Sequence, residues 1–251
     1  MRRKAADRSE STRLGVAAPM NGRACLPALL SLCAAVSPLT AQGVVIDQGR
    51  FAVTLDARQA GTEEFSVRRA GFGRDDAFYA NSVIRLSREG GAQEVRTLLR
   101  ASPPDGATEE YQATVTGLEA MELGLTRDRI GGRYRALVRS GLGEENREFP
   151  ARPDTKTLDL DVAHQYYFLR ELREGSTVHV LVPRDRRQTS MRVGPWSEDE
   201  IQLGPNRVVA RRVELSSGED RHVVWFDRLG RVVRVEVPGR GYVAERTDLV
   251  G

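Results

Sequence analysis

The chain has 251 residues, with 38 lysines and arginines against 35 aspartates and glutamates, a formal charge of +3. Its basic excess sits in the first forty residues: losing Arg2, Arg3, Lys4, Arg8, Arg13 and Arg23 with Asp7 and Glu10 turns +3 into −1. The overall charge therefore lends no support to nucleic acid or an anionic lipid surface as partner. Both cysteines, Cys25 and Cys33, lie in the same stretch, so the remainder has neither a disulfide nor a thiol nucleophile.

Residues 20–42 read MNGRACLPALLSLCAAVSPLTAQ. Arg23, an apolar run over 24–36 and a small-residue end are the grammar of a cleavable secretory signal, predicted to be cut after Ala41. The run is shorter than the roughly 20 apolar residues that span a bilayer, so no transmembrane segment is expected in the mature chain. Residues 1–19 are polar and are read as a start-site extension before Met20. The paired Arg2 and Arg3 would suit a twin-arginine signal but lie far from the apolar run. Lipid attachment at Cys33 is the alternative; Leu32 before it is larger than such sites prefer. The prediction is a periplasmic or secreted protein with one β-rich domain over 42–251.

In that domain period-two alternation dominates. Phe51, Val53 and Leu55 share a strand face, and Phe65 and Val67 share another, with QAGTEE between them predicted to turn around Gly61. Tyr111, Ala113 and Val115 repeat the pattern, as do Tyr134, Ala136 and Val138. The segments 102–107 and 141–154 read as loops. Residues 161–172, DVAHQYYFLREL, carry helical spacing at Val162, Tyr166 and Leu169, with Asp159 or Asp161 to cap the start and Gly175 past the end. Strands over 207–215, 221–226, 231–237 and 242–246, joined by SSGED, DRLGR and PGRG, predict an antiparallel meander.

The fold class predicted is mainly β: a single curled antiparallel sheet, a half-barrel or open barrel, with one helix packed against it. An outer-membrane barrel fits less well, because the second strand faces are charged and aromatic girdles are missing.

No catalytic motif, metal site or cofactor is expected. His164, His179 and His222 stand 15 and 43 residues apart, unlike the tight pairs of zinc sites. No Gly-x-Ser-x-Gly elbow occurs, and no two carboxylates stand out as a glycosidase pair. GFGR at 71–74 reads as a loop, and Asp75 and Asp76 beside it as a poor calcium signal. Lys4 and Lys156 are the only lysines; the arginine bias reads as genomic composition. Tyr166, Tyr167, Phe168 and Trp225 are the candidate ligand-binding residues, lining an apolar pocket between helix and sheet that would take an acyl chain. A plain aromatic core is the competing reading.

The stretches 158–187, 198–215 and 223–249 carry Arg170, Leu172 and Gly175 in an R-x-L-x-x-G helix end. They also carry Trp225, Asp227, Arg231 and Val237 in a W-x-D-x-x-x-R-x-x-x-x-x-V/I signature. In these the chain resembles an uncharacterised exported domain family whose fold is related to the LolA/LolB-like lipoprotein carriers. The resemblance implies a curved antiparallel sheet wrapping a helix and, by analogy only, binding of a lipid or lipoprotein. It implies no catalytic residue. A structural or interaction module of the cell envelope with no ligand cavity is the alternative, and an envelope hydrolase the weaker third.

Overall fold

The computed structural model describes residues 43–249. The predicted leader, its signal at 20–41, the cut after Ala41 and the alternative lipid site at Cys33 all lie outside them.

Eight strands come first: β1 (Val44–Leu55), β2 (Arg58–Ala70), β3 (Ala77–Arg88), β4 (Gly91–Ser102), β5 (Ala107–Gly117), β6 (Met121–Asp128), β7 (Arg133–Ser140) and β8 (Gly143–Pro150). Then follow β9 (Lys156–Thr157), a 3₁₀ helix (His164–Leu169), β10 (Thr177–Val182), β11 (Arg187–Val193) and β12 (Ser197–Leu203). The chain closes with β13 (Asn206–Ser217), β14 (Asp220–Phe226), β15 (Val232–Val237) and β16 (Tyr242–Arg246).

All belong to one sheet in the order β8 to β1, then β16 to β13, β11, β10 and β9, with β12 paired to β13. Every pairing is antiparallel except β9 with β10. The two ends of the sheet curl toward each other without joining as a strand pair. The segment leaving β8 crosses inside instead: Thr108 N–H donates to the Thr155 carbonyl at 2.8 Å, and the Thr108 and Thr157 hydroxyls lie 3.0 Å apart. This is the predicted curled, open antiparallel sheet.

Alternation builds the core. Phe51 and Val53, Val67, Ala80 and Ile84, Tyr111 and Tyr134 are all fully buried on the concave face. Each large aliphatic or aromatic side chain so buried contributes about 1.5–3 kcal/mol. The C-terminal meander forms, with Val235 and Val237 facing inward and Arg234 and Glu236 more exposed; Val233, expected on the face of Val235 and Val237, instead packs on the opposite face with Trp225, beside the register shift between β14 and β15.

Three further local expectations are corrected. The β1–β2 turn is at Asp56 and Ala57, which adopt φ of 49° and 63°, and not at Gly61. Gly61 lies inside β2 opposite Leu86, where a Cβ would sit 1.8 Å from the Arg85 carbonyl oxygen. The glycine serves a close backbone approach, not a turn. Residues 141–154 are not all loop, because β8 pairs with β7 along its length. Seven of its eight residues escape full burial, so it shows no apolar alternation.

The predicted helix over 161–172 is a 3₁₀ helix of six residues flanked by turns, with no side-chain cap. Its intended caps are engaged elsewhere: the Asp161 carboxylate pairs with Arg88 and Arg240, and the Asp159 carboxylate with Arg184 and Tyr111. The winding is the tighter i to i+3 kind, with Tyr166 N–H donating to the Ala163 carbonyl and Leu172 N–H to the Leu169 carbonyl, each at 3.1 Å. All six of its residues are buried. They touch β2 and β3 on one arm of the sheet and β14 and β15 on the other. The segment therefore plugs the curl.

Candidate functional site

The inner end of the plug is held by polar side chains. Arg184 Nε donates to Asp159 Oδ2 at 2.7 Å and Tyr111 O–H donates to the same oxygen at 2.7 Å. Glu63 of β2 accepts from Ala163 N–H at 2.7 Å and from His164 Nδ1–H at 2.6 Å. His164 Nε2, on the other side of the ring, is buried without a partner. Tyr166 O–H donates to His222 Nδ1 at 2.7 Å, and His222 Nε2–H donates to Asp220 Oδ1 at 3.1 Å. The hydrogen bond from His222, aided by Arg187, brings the Asp220 carboxyl down to about 2.

Two histidines thus meet carboxylates, as a hydrolase would need, but not in a cleft. Glu63 and His164 are wholly buried. The void beside Tyr166 and His222 is about 20 Å³, room for about one water. His179 instead bonds Ser190 on an exposed face, 2.9 Å apart. Among the described residues no group of three His, Cys, Asp or Glu side chains is placed to hold a metal.

The four predicted ligand residues divide. Tyr166, Tyr167 and Phe168 lie together in the main core at 3–5% exposure. Phe168 meets Phe78 edge-on at 5.7 Å and Tyr167 at 5.4 Å. The space expected between helix and sheet is filled by these side chains. Trp225 is on the other face of β14, in a second cluster with Ile201, Leu203, Ala210, Val223 and Val233 under the β12–β13 hairpin. Its indole N–H donates to Asp199 at 3.1 Å, with Arg212 and Arg234 stacked 5.6 and 5.4 Å away. Alternation explains the split: Val224 and Phe226 face the plug, so Trp225 between them faces away.

Where the plug emerges, it opens a cleft of about 440 Å³. Its apolar wall is Phe168, Leu172, Val178 and Pro104, and its polar wall includes Lys156, Asp105, Asp154 and Arg173. The β4–β5 turn shapes it. Gly106 has φ of 76°, and a Cβ there would lie 2.3 Å from Phe168 Cδ1, so only glycine lets the turn close over that ring. Arg170 is fixed beside the opening, its guanidinium 3.9 Å over the Tyr167 ring.

Lys156 of β9 reaches the cleft from below and is 2% exposed. Its amine donates to the Asp105 carbonyl oxygen. Burial pushes the ammonium below its usual range. Burial also pushes the Asp105 carboxyl up, but the bond with Asp154 and the Lys156 charge outweigh it and bring the group down. The same bond to Asp105 raises Asp154.

Sequence reasoning found Phe168 but not Lys156, Asp105 or Asp154. One signal pointed to Lys156: it is the only lysine among the described residues of an arginine-rich chain. Asp105 and Asp154 are 49 positions apart and carry no spacing to read.

No family model and no curated protein matches the chain. Among solved structures it is similar to a beta-barrel-like protein of the domain of unknown function DUF1849 from Brucella abortus. The two share 10% identity over 82% of this chain and 96% of that one, with a TM-score of 0.46.

Proposed function

We propose that the protein is a non-enzymatic binding module that works after export. It takes an amphipathic envelope component, a lipid or lipoprotein, at the cleft beside Phe168. The single observation that carries this is the cleft itself. At about 440 Å³ it falls within the 300–1,000 Å³ usual for small-ligand sites. One wall is apolar and the other charged, as an amphipath requires. The export reading rests on the leader and the choice of ligand class on the resemblance to the family related to lipoprotein carriers.

Mass spectrometry of lipids co-purifying with the protein from its own envelope tests the reading. A stoichiometric amphipath is expected. Protein free of lipid, both as isolated and after incubation with envelope extract, contradicts it.

The filled interior favours a second reading, an envelope interaction module whose working surface is its rim. That reading predicts a protein partner in cross-linking and no small-molecule cargo.

A further inference from the structure

We propose that the ligand of the cleft carries an anionic head of phosphate or carboxylate type, held by the Lys156 ammonium. The proposal rests on the cleft being a binding site and names what it selects.

An ammonium has three N–H donors. Among the described residues the Lys156 amine has one acceptor, the Asp105 carbonyl oxygen. Two donors are left on a charged group that is 2% exposed and lines the cleft. A buried charge so poorly matched is costly, and an anionic oxygen supplies what it lacks.

A second cation stands at the opening. Asp105 and Asp154 line the same polar wall as Lys156. Arg170 has Glu171 at 3.3 Å. Arg173 has no ion-pair partner among the described residues and lines the same cleft.

The residue type fits too. Every other basic residue of the described chain is arginine, whose planar fork needs room for two parallel bonds. Lysine places a compact point charge in the wall of the cleft. Phe168, Leu172 and Val178 beside it would line the first carbons of a tail.

Calorimetry on the purified protein with dodecyl phosphate, dodecyl maltoside and dodecyltrimethylammonium, each below its micelle concentration, and with inorganic phosphate tests this. Dodecyl phosphate is expected to bind at least tenfold more tightly than the other two amphipaths. Lys156→Met should remove that preference. Arg173→Gln, an exposed change that leaves the core untouched, should lower dodecyl phosphate affinity several-fold. Equal affinity for all three amphipaths, or a preference unchanged in both variants, overturns the head assignment and leaves the cleft reading standing. Inorganic phosphate bound as tightly as dodecyl phosphate supports the anion assignment and overturns the amphipath. No binding of any of the four overturns both.

Discussion

Glu63 and His164 meet at 2.6 Å in the closed interior, a strand carboxylate gripping the start of the plug from 101 positions earlier in the chain. The same carboxylate accepts the Ala163 N–H at 2.7 Å. Glu63→Leu strands both donors, and breaking a buried pair of this kind costs about 3–5 kcal/mol. Urea unfolding should show that loss. Glu64→Gln on the wet face of the same strand, where Glu64 pairs with Arg50 at 46% exposure, should cost under about 1 kcal/mol. Similar losses in the two variants would mean that Glu63 does not hold the plug.

Asp220 gives the fold a defined acid dependence. Its carboxyl is depressed from an ordinary value of 3.8 to about 2 by His222 and Arg187. A depressed carboxylate contributes stability that is complete above its unfolded value and disappears as pH falls through the folded one. The stability difference between the wild type and Asp220→Asn should therefore be constant above about pH 5 and shrink toward pH 2. Solvent screening at this partly exposed group keeps it to about 1 kcal/mol. Unfolding free energies measured from pH 2 to pH 7 check this; a difference growing toward acid has the wrong sign.

Gly106 and Gly73 separate backbone strain from packing. Both have positive φ, 76° and 60°, but an added Cβ meets Phe168 at the first and nothing within 4 Å at the second. Gly73→Ala should cost about 1 kcal/mol. Gly106→Ala should cost about 2–4 kcal/mol, because a core ring must also move. Thermal denaturation of the two variants gives the comparison, and equal costs would show that the turn does not rest on Phe168.

The cleft can be filled without touching the core. Thr177 is exposed at the start of β10 and lines the opening. Thr177→Trp should lower amphipath affinity at least tenfold while stability stays within about 0.5 kcal/mol. Calorimetry and urea unfolding on one preparation read both numbers. Unchanged affinity would place the ligand elsewhere.

The sheet was legible because its strands alternate. Tyr242–Arg246 has the bounds predicted, and the turns at SSGED, DRLGR and PGRG fall where glycine and polar residues put them. Legibility failed wherever a residue served a distant neighbour. Gly61 looks like a turn residue but answers to the Arg85 backbone. Asp159 and Asp161 look like helix caps, yet their carboxylates belong to Arg184, Arg88 and Arg240 from other parts of the chain. Strand β8 has no dry face, and so no pattern. The cleft was hidden for the same reason: Asp105, Lys156 and Phe168 come from a turn, a two-residue strand and the plug, and only folding brings them together.

Amide chemical-shift mapping of the isotopically labelled protein during titration with dodecyl phosphate bears most directly on where the molecule binds. Saturable shifts clustered at Lys156, Phe168, Arg173 and Ser176 are predicted, with Trp225 and the β12–β13 hairpin unmoved. Shifts centred on Trp225, or none that saturate, would contradict the binding role assigned to the cleft.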